Sequence, residues 1–242
     1  MDSAVPGGPR GATQAAELRF WQTDGITQWP RLARRYREVF PLESINYATA
    51  SIMDVGSGPL SVMEEFAPAG ADVVPYDSLA EEYNRLVPDK KFVIRADLPQ
   101  RRFSHIMILN VLDHMEDPSS LLEHVAPRLA DDGQVWIFTH INRPYAPEEH
   151  PQDFRFWQLT SLVQRWFDLQ RVWIHCDGVL FPYAWCGIVR PKTNQRVHRA
   201  VGPILANLAC ALTLAKYYAI RAVVKGLKLI GLRRLLPKPL QF

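Results

Sequence analysis

Between Ser51 and Phe138 short apolar runs alternate with stretches whose apolar residues recur every three or four positions, the alternation of strand and helix periods. Ser51-Ile-Met-Asp-Val55 reads as a buried strand closed by Gly56-Ser57-Gly58-Pro59, and residues 60–69 as a helix. Ala71–Tyr76 is predicted as the second strand, ending at Asp77, and Ala80–Leu86 as the second helix. Lys91–Ile94 is the third predicted strand, followed by Ala96-Asp97-Leu98, and Ser104–Leu109 the fourth, ending at Asn110. Ser119–Leu129 is a helix with Ser119 or Ser120 as its N-cap, and Gln134–Phe138 is the fifth strand. Trp166–Trp173 and Val179–Val189 supply the last two. Strands that alternate with helices at crossover spacing predict an α/β protein with a doubly wound, mostly parallel seven-stranded sheet.

Upstream, Leu18, Trp21, Leu32, Tyr36, Val39 and Phe40 recur at helical spacing. Asp24-Gly25 and Trp29-Pro30 are expected to split residues 15–40 into two helical pieces. Arg31, Arg34, Arg35 and Arg37 on the second piece read as a solvated face, or as a set that helps hold an acidic substrate. Residues 1–14, small, polar and rich in Gly and Pro, are expected to be a disordered leader.

Composition adds bounds. The chain has 242 residues, with 48% apolar and 22% charged side chains, ordinary usage for a globular domain. Cys176, Cys186 and Cys210 are too scattered for a disulfide framework or a Cys-rich zinc site. The first residues lack a basic and an apolar region of secretory type, so a cytoplasmic setting is expected. Charge is unevenly spread. No Asp or Glu follows Asp177, and the eleven Lys and Arg after it leave residues 1–177 at −8 within a net +3. An acidic body with a basic, apolar tail points to an anionic surface as partner.

In a doubly wound sheet, ligands bind at the carboxyl ends of the strands. Here the first strand runs out into Gly56-Ser57-Gly58, where the missing Cβ lets backbone approach a ligand. Asp77 ends the second strand, placed to accept both hydroxyls of a ribose, and Asp97 follows the third, where an exocyclic amine is readable. No Gly-Lys-Ser/Thr is present, so this is not a P-loop. Ser61 replaces the third glycine of the dinucleotide fingerprint and Pro59 removes a helix N–H, so a ligand without phosphates fits better.

These residues resemble class I S-adenosylmethionine (SAM) dependent methyltransferases. Asp54-Val-Gly-Ser-Gly-Pro59 looks like their first motif, and Tyr76-Asp77-Ser78-Leu79-Ala80 like the second, acidic one. Ile108-Leu-Asn-Val-Leu-Asp-His-Met115 with Asp117-Pro118 is similar to the fourth-strand motif of the branch acting on small molecules and lipids. Ala126–Gly133 resembles the turn before strand five, with Gln134 in place of its second glycine. The likeness covers about residues 45–175 and implies a Rossmann-like methyltransferase fold. It also implies roles: Gly56, Ser57 and Gly58 beside the methionine part of SAM, and Asp54 ordering that end. Asp77 and Ser78 would sit at the ribose, Asp97 and Leu98 at the adenine, and Asn110 would close the site.

A hydroxyl acceptor gains from a general base near neutrality, most often His. His114, paired in sequence with Asp113, and His140 and His150 are the candidates, each expected in a loop after strand four or five. No spacing demands a metal. Tyr145, Phe154 and Trp157 lie in a polar, aromatic segment suited to a sugar or another polyhydroxy acceptor, although helical spacing from Phe156 equally suits a core face.

The organisation expected is therefore a leader (1–14), a SAM-binding domain with an N-terminal helical lid (15–192), and a basic, apolar helical tail (193–242). Ala200–Ala215 is uncharged but as a helix only about 24 Å long, short of a hydrocarbon core of about 30 Å. Residues 197–236 suit the plane of an anionic membrane, on its inner face, or packing on the core or on a second copy to form a homodimer. Nucleic acid is not an expected partner. The function expected is O-methylation of a sugar or headgroup hydroxyl on a lipid-linked glycan or other amphipathic metabolite. The alternative is a non-catalytic methyltransferase-like module that binds a membrane or protein partner.

Overall fold

The computed structural model describes residues 12–141, 151–176 and 183–192, and places Ala215, Ala219, Ala222, Val223 and Gly226 in helix. The expectations for the leader up to residue 11, for Tyr145 and His150, and for nearly all of the tail lie outside the described residues.

Six strands form one sheet in the order β2-β1-β3-β4-β6-β5. They are β1 (Ser51–Val55), β2 (Asp72–Tyr76), β3 (Phe103–Leu109), β4 (Leu129–Ile141), β5 (Phe167–Cys176) and β6 (Tyr183–Pro191). The first four pair in parallel, and β6 runs antiparallel to β4 and β5. The helices are α1 (Ala12–Phe20), α2 (Ile26–Val39), α3 (Met63–Phe66), α4 (Ala80–Leu86), α5 (Pro118–Val125) and α6 (Phe156–Gln164).

Period-two alternation separates two cores. Met53, Val55, Ile106, Ile108, Val135, Ile137 and Trp185 face α5 and α6. Ile52, Met107, Trp136, Phe138, Ala184 and Cys186 face α2, α3 and α4. Neighbouring residues on each central strand thus serve opposite layers, which makes the sheet doubly wound.

Several expectations need correction. The seventh strand is absent among the described residues. Lys91–Ile94 is irregular, and only Arg95 bridges to Tyr76. Arg95 donates to the carbonyl of Pro75, and the ladder stops there because Pro75 has no N–H to return on that edge. Side chains satisfy the segment instead: Glu64 accepts from the N–H groups of Lys91 and Phe92, each at 3.0 Å, and the Asn84 amide brackets Ile94 at 2.8 and 3.1 Å.

The helix after β1 is short, Met63–Phe66, because Asp54 holds the preceding loop. The cap of α5 is Asp117, whose carboxylate accepts from Ser119 and Ser120 at 3.0 and 3.1 Å, with Pro118 at the tolerant first position. At the N-terminus, α1 begins at Ala12, inside the predicted leader. A π turn, Trp21–Gly25, joins α1 to α2, and α2 continues through Pro30 instead of breaking there.

Candidate functional site

The carboxyl ends of β1, β2 and β3 carry the residues singled out in the sequence, and backbone geometry fixes most of them. Asp54 is buried in β1. Its Oδ2 accepts from the Ser61 hydroxyl at 2.6 Å and the Val62 N–H at 3.2 Å. Burial pushes this carboxyl up to about 7, and the two donors hold it back from rising further.

Gly56 and Gly58 have φ of +65° and +62°, a region other residues rarely adopt. A Cβ on Gly56 would lie 2.5 Å from Val111, and one on Gly58 would lie 3.1 Å from the Trp21 indole.

The acidic motif after β2 holds the glycine turn in place. Asp77 accepts from the Gly58 N–H at 3.0 Å and from the Leu79 N–H at 2.9 Å. Burial raises its carboxyl to about 6 against these two bonds. Two motifs that are 23 residues apart in sequence, from Asp54 to Asp77, thus form one unit.

Asn110 follows β3 at φ +62°, which Asn tolerates better than most residues. Its N–H donates to Phe138 of β4 at 2.7 Å, and its amide nitrogen lies 3.1 Å from Nε2 of His114. His114 sits in a 3-10 turn, with Nδ1 3.9 Å from Glu17 on α1. Glu17 in turn accepts from the Trp21 indole at 2.7 Å.

His140 was expected in a loop but lies inside β4, 3% exposed, because the ladder to β6 carries β4 on to Ile141. Its Nδ1 is 4.0 Å from Asp113, which is 1% exposed.

Asp54, Gly56, Ser57, Gly58, Asn110, His114 and His140 line one cavity of about 320 Å³. Asp77 bounds it through Gly58, while Ser78, 3.5 Å from Gln14 of α1, does not line it. Asp113 stands behind His140. The cavity does not gather every candidate. Asp97 is exposed beyond the loop that replaces the predicted third strand, and Leu98 packs in the core. Phe154 is buried in the core beside α6, and Trp157 is 55% exposed on α6. Neither lines the cavity.

The roof comes from the helices expected as an N-terminal lid, through side chains that, Arg35 apart, the sequence did not assign to the site one by one. Glu17, Phe20, Trp21, Trp29, Leu32 and Tyr36 cover the strand ends, with Arg35 beside them. Helical spacing marked Trp21, Leu32 and Tyr36 as a buried face. It carried no signal of what that face covers.

Chemically, the cavity combines a backbone cradle and a buried acid with two imidazoles and an amide. Among the described residues no group of three or more His, Cys, Asp or Glu could hold a metal ion.

A family model described as a methyltransferase domain matches residues 27–172, more than half of the chain. No curated protein matches it in sequence. Among solved structures it is similar to the 1,6-didemethyltoxoflavin N1-methyltransferase of Burkholderia thailandensis, at 16% identity and TM-score 0.52, covering 78% of this chain and 94% of that one. It is also similar to a chain of the Haloferax volcanii complex of the Trm112 methyltransferase activator with a methyltransferase, at 11% identity and TM-score 0.59, covering 75% and 99%. Magnesium protoporphyrin IX methyltransferase of Synechocystis is similar at 16% identity and TM-score 0.50, covering 75% and 98%. At these identities the likeness is one of fold.

Proposed function

This chain belongs to the methyltransferase-domain family, and from that premise we propose that it transfers a methyl group to a hydroxyl of a small or amphipathic acceptor bound under its N-terminal helices. It is a class I SAM-dependent methyltransferase, and its cofactor is SAM. The residues present fit that group: Gly56 and Gly58 line the cavity with backbone alone, next to a buried acid.

When bound, SAM supplies a sulfonium methyl for in-line displacement. The roles of the chain's own residues follow from their places. Gly56, Ser57 and Gly58 run along the methionine part, and Asp54 orders it. Asp77 keeps lone pairs for the ribose hydroxyls beyond its two backbone bonds, with Ser78 beside it. Asp97 and Leu98 would flank the adenine, outside the residues that line the cavity.

The observation that carries the reading is the presence of His114, His140 and Asn110 in the same cavity as the glycine turn. An imidazole there takes the hydroxyl proton as the methyl arrives. Asp113, 4.0 Å from Nδ1 of His140, stabilises the imidazolium that results. Holding both reactants in line supplies much of the rest of the acceleration.

The acceptor is a sugar or headgroup hydroxyl of a lipid-linked glycan or another amphipathic metabolite. The basic tail, residues 197–236, would keep the enzyme at an anionic cytoplasmic membrane face beside it. Among the described residues no helix is long and apolar enough to cross a membrane.

The test is calorimetry with SAM and S-adenosylhomocysteine, then transfer of labelled methyl into membrane-extracted glycolipids. Micromolar cofactor binding is expected, with label in a lipid fraction and a rate lowered about 10²- to 10⁴-fold by His140→Ala or His114→Ala. Absent binding overturns the cofactor site. Unchanged rates in both variants overturn the base. Failure of the full chain to pellet with anionic vesicles removes the membrane role.

A further inference from the structure

Glu17 of α1 is half-buried and lines the cavity together with Gly56 and Gly58 of the floor. Its Oε1 accepts from the Trp21 indole at 2.7 Å. That indole packs on the glycine turn, with Cζ2 3.1 Å from where a Cβ on Gly58 would stand. Its Oε2 lies 3.9 Å from Nδ1 of His114. One carboxylate is thus tied both to the turn assigned to the methionine part of the cofactor and to an imidazole assigned to the acceptor's proton. These two contacts leave it lone pairs to spare.

The surroundings suit a positive charge. Besides the two imidazoles, the charged residues described in the lining are Arg35, which has interactions of its own, and the acids Glu17 and Asp54. A third acid, Asp77, is bonded to Gly58 just behind. Burial does most to raise the Asp77 carboxyl, and the charge of Glu17 adds to it, so that charge is felt at the glycine turn. Phe20, Trp21 and Trp29 add aromatic surface, with the two indoles 6.3 Å apart, and aromatic faces attract cations.

We propose that Glu17 receives the sulfonium charge of SAM, and so lets the cavity tell the methyl donor from its product, which is neutral at sulfur. This rests on the methyltransferase reading of the same cavity. The methyl has to pass from a cofactor on the glycine turn to a hydroxyl beside an imidazole. The donor's charge therefore belongs where those two parts of the cavity meet, and Glu17 is tied to both. Transfer moves that charge without removing it: sulfur keeps the bonding pair as the methyl leaves, the acceptor oxygen takes the methyl on a lone pair, and the oxygen's proton passes to the imidazole. With His114 as the base, the charge stays within reach of the same carboxylate. Glu17 then favours the loaded cofactor without holding back the transfer, and S-adenosylhomocysteine loses the attraction.

The probes are SAM, S-adenosylhomocysteine and sinefungin, in which a carbon bearing an ammonium stands in for the methylated sulfur, each titrated by calorimetry into the full chain. Glu17→Gln removes the charge and keeps an oxygen for the Trp21 indole. It should weaken SAM and sinefungin about fivefold or more relative to S-adenosylhomocysteine, whose own affinity reports that the site still folds. Glu17→Asp should keep part of the difference, and Glu38→Gln, on the outer face of α2, should keep all of it. In the unaltered chain, raising salt from about 0.05 M to about 0.5 M should weaken SAM more than S-adenosylhomocysteine, a comparison that needs no variant to fold. An affinity ratio of SAM to S-adenosylhomocysteine that Glu17→Gln leaves unchanged, or identical salt dependence of the two, overturns this inference alone. Failure of all three ligands to bind the unaltered chain overturns the methyltransferase reading beneath it.

Discussion

The floor and the roof of the cavity are built on different principles. On the floor, directional bonds and backbone conformation set nearly every position. Asp54 and Asp77 each accept two donors, Gly56, Gly58 and Asn110 sit at positive φ, and Asn110 is bonded to β4. On the roof, aromatic packing does the positioning, through Phe20, Trp21, Trp29 and Tyr36, with the bond from Trp21 to Glu17 as a polar tie. Directional bonds fix a shape to fractions of an ångström and fail when moved. Apolar packing tolerates exchange at constant volume. A floor of this kind suits a ligand that never changes, the cofactor. A roof of this kind suits the part of the site that must match a particular acceptor.

Breaking the floor at its tightest point should cost most. Gly56→Val combines positive φ with a Cβ 2.5 Å from Val111. It should lose about 3 kcal/mol or more in urea unfolding. A loss below about 1 kcal/mol would mean that the turn relaxes freely and the contrast with the roof is overstated.

Asp77→Ala comes next. It removes an acceptor from two N–H groups and, on the proposed role, from the ribose. Cofactor binding should weaken by about 1.5–3 kcal/mol in calorimetry, and unchanged affinity would sever Asp77 from the site.

The buried acids then make the floor sensitive to pH. Asp54 titrates at about 7 and Asp77 at about 6 in the folded chain, both above the ordinary carboxyl value. A raised folded value means that the stabilising, protonated form is complete below about pH 4 and is lost as pH climbs to about 7. Stability should therefore fall across that window, and Asp54→Asn should flatten the fall. A slope that Asp54→Asn leaves unchanged would place the titration elsewhere.

The smallest effect belongs to the outer face of the roof. Arg34→Ala breaks an exposed i, i+4 pair with Glu38. It should change stability by no more than about 0.5 kcal/mol. A larger loss would show the outer face of α2 to be structurally committed.

Much of the floor was legible because its signals are local. β1 and α4 match their predicted limits, Ser51–Val55 and Ala80–Leu86. An apolar run and a helical repeat each state their own period, and a Gly-Ser-Gly turn between them states that backbone must bend there. The third predicted strand failed because an apolar run reports burial, not pairing. Phe92 and Ile94 are buried, yet Pro75 offers no donor on that edge and Asn84 and Glu64 capture the backbone first. His140 failed similarly, since β4 owes its length to the partner β6, far along the chain.

The sequence by itself determined the doubly wound core, the acids and glycines at the strand ends, and the class of cofactor, because each is encoded within a few neighbouring residues. The tertiary structure decided which candidates meet. It brought Asp77 onto Gly58, set Asp113 behind His140, left Phe154 in the core, and laid Trp21, Trp29 and Arg35 over the site. Helical spacing fixes which side of a helix is buried, but only packing against the rest of the molecule fixes what it is buried against.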